Sequence, residues 1–317
     1  MTGYLIRRIA QSIVVVFGVI LLTFLLFHLY PQDSAARACL GPKASKVGIE
    51  NFNHQQGYDL PIYHQFWNYT WGIVRHFDLG SSCKYNQSVR SLILNRLPKT
   101  LVLVGLSTVF ALIVAVPLGI LQVIRRNKPI DYVLTGVSFV GYAMPAFLLG
   151  ELLILWFALD LHWFEFEAPQ SASMLQILGD PRGWILPVFS LSVLTIAGFS
   201  RYMRSSMMEA LTEDYIRTAR AKGAGPSRVL FLHALRNALI PIITLLGLTL
   251  PAIVGGAIIT ETVFNYPGMG LLTTDSALNN DVPVLLGTTF VAAVATVAGN
   301  LIADILYAVA DPRVRYG

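Results

Sequence analysis

The sequence predicts an all-α integral membrane protein with six transmembrane helices, and three observations carry that prediction. The chain is 55% hydrophobic and only 13% charged, roughly half the charged share of an ordinary soluble domain. Its mean hydropathy is +0.60. Apolar runs near the ~20 residues that a hydrocarbon layer demands of a helix recur along its length: Ile9–Leu29, Leu101–Ile124 and Ala238–Thr260 carry no formal charge. Tyr132–Leu159 is interrupted only by Glu151, Val284–Ala310 only by Asp304, and the shorter run Trp184–Ser200 is uncharged. Little mass remains for a soluble domain, so the whole chain, 1–317, reads as a single membrane domain.

The first run follows Arg7 and Arg8, which imitate the basic start of a secretory signal. It is longer than the 7–15 residues of such a signal's apolar core, so it reads as a retained span. After it, residues 31–99 read as an external segment, the one stretch with room for a small folded lobe. That segment holds both cysteines, Cys39 and Cys83, which either join in a disulfide or stay as two free thiols. Its aromatic group Tyr63, Phe66, Trp67, Tyr69 and Trp71 suits either an amphipathic helix at the membrane interface or a cluster packed on the ends of the spans.

Positive residues in short loops stay cytoplasmic. Arg7 and Arg8, Arg125, Arg126 and Lys128, the cations of the 201–237 loop, and Arg313 and Arg315 all fall on one side when the N-terminus is inside. Fourteen of the 23 Lys and Arg residues are then cytoplasmic, and both termini with them. The net charge of +5 follows from this bias, and no nucleic-acid binding is read into it.

The 201–237 loop carries the strongest functional signal. Met203, Met207, Met208, Leu211, Tyr215 and Ala219 recur at helical spacing, with Arg204, Glu213, Arg217 and Arg220 placed elsewhere around the helix. Gly223 and Pro226 punctuate its end, and Ser227 is positioned to cap a second helix running into the fifth span. The physics therefore predicts helix, sharp turn and helix at the membrane surface, as either an interfacial anchor or a docking handle.

Other classes fit less well. Only His28 among the six histidines lies in a span, and no H-E-x-x-H occurs, so an intramembrane hydrolase lacks its base. An ion-coupled secondary carrier would rest on Glu151 and Asp304, because carboxylates within spans are functional candidates. No Walker-type G-x-x-x-x-G-K-[ST] is present, so the chain has no phosphate-binding loop of its own, and it holds no cluster with metal-ligand spacing.

Several stretches together make a resemblance. They include Gly57-Tyr58-Asp59-Leu60-Pro61, Asp78-Leu79-Gly80-Ser81-Ser82, Arg96-Leu97-Pro98-Lys99-Thr100, the loop words Glu213 to Gly223 and His233 to Pro241, and Glu261 to Gly270. With these the chain resembles a permease subunit of an ATP-binding-cassette importer of the dipeptide/oligopeptide family. In that family the loop carries the EAA motif, whose helix docks on an ATPase. The resemblance therefore implies a coupling role for Glu213, Asp214, Arg217, Thr218, Ala219, Arg220, Ala221, Lys222 and Gly223. The motif's acidic residue falls here at Arg217, as in the peptide-permease version, and its late proline at Arg236. The family's Gly-Asp-Pro after the first span is Gln32-Asp33-Ser34 here.

The resemblance further implies a second homologous permease chain, two ATPase subunits that bind ATP and Mg, an external solute-binding protein, and a bacterial or archaeal plasma membrane. No cofactor is expected in this chain. The implied cargo is peptide, with nickel, glutathione or another small solute as the alternative within the family.

Overall fold

The computed structural model describes residues 2–28, 33–41, 43–168, 170 and 173–310, apart from the side chains of 2–6, 26, 27, 33–35, 38, 244, 247–256 and 303–310. In chain order the helices are α1 (Thr2–His28), α2 (Asp33–Leu40), α3 (Lys46–Gln56) and α4 (Ile62–His76). A minimal hairpin follows, β1 (Ser81–Ser82) with β2 (Gln87–Ser88), antiparallel with Ser81 opposite Ser88. Then come α5 (Val89–Ile124), α6 (Pro129–Ala143), α7 (Ala146–Leu153), α8 (Met174–Gly179) and α9 (Ile185–Ala210). The chain finishes with α10 (Asp214–Ala221), α11 (Pro226–Arg228), α12 (Leu235–Val263), α13 (Met269–Leu278) and α14 (Val282–Ala310).

Within the described residues, five of the six apolar runs read from the sequence fall on continuous helix, apart from Trp184 just before α9. Arg7–Leu25, α5, α9 and Val282–Ile302 are each long and apolar enough to cross a bilayer. The fifth run lies within α12, 29 residues of unbroken helix. The third run differs: α6 and the helix continuing from Ala146 to Asp160 are bent by 103° at Met144–Pro145. Proline cannot donate its missing N–H, and it drives the residue before it into extended backbone. Met144 adopts that backbone, with φ −73° and ψ 126°. Beyond Leu153 the helix widens into a π-helical turn, Ile154–Asp160.

The chain divides into two compact units. The first comprises α1–α4, the hairpin, the start of α5, α13 and most of α14. Its core is Ile73, Leu79, Val89, Leu92, Ile93, Met269, Leu272 and Val284. Ser45 caps α3 by accepting the Gly48 N–H at 3.1 Å, and Gly57 ends that helix at φ +69°. Helix α5 starts at Val89, so the last part of the 31–99 segment belongs to a spanning helix.

The second unit holds the rest of α5, α6–α12 and the end of α14. Its main core joins Ala115 and Ile120 of α5 to Phe199, Met203 and Met207 of α9 and Ala238 and Ile242 of α12. Helices α5 and α9 approach closely at Gly119: a Cβ there would stand 2.6 Å from Met203 Cβ and 2.9 Å from the Ser200 carbonyl. Gly150 does the same for α7 against Val263, at 2.8 Å.

Candidate coupling surface

The segment from Arg201 onward departs from its sequence reading in two ways. Arg201 to Ala210 continue α9, and the helix expected to run from Met203 to Gly223 is two helices with a turn between them. The turn forms at Leu211–Glu213, where the Thr212 hydroxyl donates to the Glu209 carbonyl at 2.7 Å. Such a side-chain bond offers the backbone an alternative to the helix. The periodicity runs through the break because both pieces bury the same side. Met203, Met207 and Ala210 from α9, with Ile216 from α10, enter one apolar core, and Ala219 is buried on the same side of α10.

Helix α10 is thus seated from beneath. Ile216 is fully buried and Ala219 nearly so, while Asp214, Tyr215, Arg217, Thr218, Arg220, Ala221, Lys222 and Gly223 are exposed, as is Glu213 before them. Asp214 stands in the first turn and Arg220 in the last, each at the helix end its charge favours. The Arg217–Asp214 pair at 3.2 Å is almost wholly in solvent, so it holds little energy.

The helix stops in a Schellman motif. The Gly223 N–H donates to the Arg220 carbonyl at 2.9 Å and the Ala224 N–H to the Ala219 carbonyl at 3.0 Å. Gly223 has φ +84°, and a Cβ would meet nothing within 4 Å. Glycine is required there for its backbone conformation alone. The chain restarts with Gly225 as N-cap and Pro226 at the first helical position, so Ser227 does not cap. A π-helical stretch, Val229–Ala234, then leads into α12 and leaves Phe231 and Leu232 exposed beside the loop.

Sequence reasoning missed the device that braces α9 just above this loop. Asp131, in the first turn of α6, accepts Arg204 Nη2 at 2.9 Å and the Asn127 N–H at 3.1 Å. The Asp131 side chain is 3% exposed and that of Arg204 28%. Asp131 Oδ1 and Arg204 Nε are buried without hydrogen-bond partners among the described residues. The signal for this pair was a lone acid two residues past Pro129, which starts α6.

The remaining candidates lie apart from the loop. Glu151 sits on α7, past the bend, and is exposed. Asp304 falls on α14, but its side chain lies outside the described residues, as do Arg313 and Arg315. Cys39 and Cys83 are joined, with Cα atoms 5.1 Å apart. Beside Cys83, Ser82 donates to Asp281, and Asp275 receives Tyr85, Lys84 at 2.6 Å and Asn279 at 3.0 Å. Burial pushes the Asp275 carboxyl up. The hydrogen bonds from Lys84 and Tyr85 and the Lys84 charge outweigh that, leaving it below the ordinary carboxylate value. Burial first, and then the bond to Asp275, push the Tyr85 phenol well above its usual 10.0.

An α10 presented on its polar side at the end of a spanning bundle matches a known family along the whole chain. Residues 107–316 fit the binding-protein-dependent transport system inner membrane component, and residues 1–104 fit the N-terminal region of the same transport-system component. The chain belongs to this family. It is a permease subunit of an ATP-binding-cassette importer in the peptide-transport branch. It is 41% identical over 318 residues to the oligopeptide transport system permease protein AppB of Bacillus subtilis, with 100% of both chains covered. The glutathione transport system permease protein GsiC of Escherichia coli K12 is 37% identical over 316 residues, again with 100% of each chain covered. Among solved structures, the inward-facing MetNI methionine ABC transporter aligns with a TM-score of 0.50 and 19% identity. The match covers 68% of this permease and 97% of the MetNI chain, and it is a likeness of fold.

Proposed function

We propose that this permease forms half of a peptide pathway and that α10 is the helix by which partner ATPases move it. The single observation behind this reading is the split of α10 into a buried Ile216–Ala219 side and an exposed polar side closed by Gly223. The core beneath holds the helix rigidly to α9 and α12, so a force applied to its exposed side passes into two spanning helices. Arg217, Arg220 and Lys222 supply the handle, and Tyr215 supplies a half-exposed ring for a partner pocket. ATP and Mg would be held by those partners. A second homologous permease would complete the pathway, and an external binding protein would deliver the solute. Both termini would be cytoplasmic, by the placement of the arginines.

Peptide cargo is supported by the relatives' names. GsiC supports a second reading, glutathione, itself a small peptide-like solute. Glu151 is the one carboxylate in the third run, exposed just past the bend, and is proposed to meet the solute.

The test is the reconstituted importer with Arg220→Glu or Gly223→Val in this chain. Both variants should insert normally and lose solute uptake by tenfold or more while nucleotide hydrolysis continues uncoupled. Uptake at the unmutated rate in both would overturn the role of α10. Uptake driven by an ion gradient without nucleotide would replace the mechanism with that of a carrier. Glu151→Gln should lower uptake while leaving the nucleotide-hydrolysis response to the binding protein intact.

A further inference from the structure

Helix α4 has two aromatic faces, and only one is packed. On the inner side, Phe66 meets Phe17 and Phe24 of α1 with ring centroids 5.8 and 5.3 Å away, Tyr69 stacks on Phe24 at 6.2 Å, and Ile73 is buried. On the outer side, Tyr63, Trp67, Trp71 and Val74 form a stripe with exposures of 67%, 62%, 48% and 73%. Trp67 and Trp71 stack on each other at 5.8 Å, and the Arg75 guanidinium lies 6.0 Å over the Trp71 ring.

The partner of that stripe follows from depth. At 1.5 Å per residue, Phe17 stands about 16 Å along α1 from the helix end at His28. The apolar run Ile9–Leu29 is barely long enough for a hydrocarbon layer of ~30 Å, so α1 cannot slide along the membrane normal. Phe17 and Phe24 are therefore at the level of the acyl chains, and the Phe66 ring reaches down to them from α4. Along the same stretch, α1 exposes Ile13, Val14, Phe17 and Leu22. An amphipathic helix with aromatics on its free face and cations at one end is the composition of a helix lying in the bilayer interface.

We infer that α4 is an interfacial membrane helix. Its Tyr63–Trp67–Trp71–Val74 stripe is seated among phospholipids in the leaflet at the His28 end of α1, and Arg75 faces their phosphates. The helix fastens the lobe between α1 and α5 to the membrane surface.

The joined Cys39 and Cys83 leave an introduced cysteine as the only thiol of this chain. Trp67→Cys, Trp71→Cys and Val74→Cys, each carrying a nitroxide, would be placed singly in the intact importer in phosphatidylethanolamine/phosphatidylglycerol nanodiscs. Collisions with oxygen should exceed those with the water-soluble Ni-EDDA at all three positions, whereas His54→Cys should show the reverse. Ni-EDDA dominance at the stripe would mean a water-facing helix and overturn the inference. Low accessibility to both reagents would mean that a protein chain covers the stripe, and would overturn it equally. As an independent reading, W67F/W71F should remove a large part of the tryptophan quenching produced by dibrominated phospholipid. Unchanged quenching would refute the lipid contact.

Discussion

The lobe after α1 and the loop around α10 differ in what is added to apolar packing. Around its core, the lobe has polar and covalent ties between elements far apart in sequence: Cys39 to Cys83, Ser82 to Asp281, and Lys84 and Tyr85 to Asp275. The α10 loop has none of these among its described residues. Its charges pair only locally, as Arg217 does with Asp214, and it is fixed by apolar side chains from below. The comparison teaches what each surface is free to do. The lobe has committed Ser82, Lys84, Tyr85, Asp275 and Asp281 to its own fold. Seated by its core, α10 keeps its charged side available to another chain.

The sharpest way to break this contrast is to cut the lobe's covalent tie. A cross-link spanning 44 positions is worth roughly 4 kcal/mol in the chain-entropy account. Cys39→Ser should therefore lower the thermal midpoint of the lobe markedly, read by hydrogen exchange over α2–α4, and leave exchange in α10 unchanged. A uniform loss across both regions would dissolve the distinction. Next in size is the brace on α9. Asp131→Ala strands Arg204, and breaking a buried pair costs ~3–5 kcal/mol. With Arg204 keeping 28% exposure, a value near ~3 kcal/mol is expected in detergent melting.

The pH dependence sharpens the comparison further. Asp275 has a lowered pKa, so its contribution is present at neutral pH and disappears as pH falls through that lowered value. Tyr85 has a raised pKa, so its contribution is complete below about pH 10 and lost as pH rises through the raised value. Lobe stability should form a plateau that falls at both extremes, and Asp275→Asn should lower the plateau and remove the acid limb. Smallest of all is Arg217→Ala. An exposed i,i+3 pair is worth at most about 0.5 kcal/mol, so melting should not move, whatever happens to uptake.

The legible parts were those that local chemistry determines. Among the described residues, apolar run length located four helices long and apolar enough to cross a bilayer, and Gly223 followed by Pro226 marked the stop of α10, because only a left-handed residue can close that motif. The turn at Leu211–Glu213 was invisible. Helical periodicity reports which side is buried, and both helices bury theirs in one core. Ser227 looked like a cap, but Pro226 before it is already the first helical residue, and Gly225 takes the cap position. The Asp131–Arg204 pair joins residues 73 positions apart, a distance that no local pattern encodes. The aromatic group of α4 could not be sorted into faces until Phe66 and Tyr69 were seen to turn toward Phe24 while the two tryptophans turned away.

The bend at Met144–Pro145 has a consequence for solvation. Proline returns no N–H to the Gly141 carbonyl, and a turn of 103° carries the last carbonyls of α6 away from the first amides of α7. A hydrocarbon chain can solvate neither set, so this stretch of backbone requires a polar neighbour: another protein segment or water. The bend therefore fixes a demand for polar surroundings at one place in the chain, six residues before Glu151. That demand is set by backbone alone, before any side chain contributes.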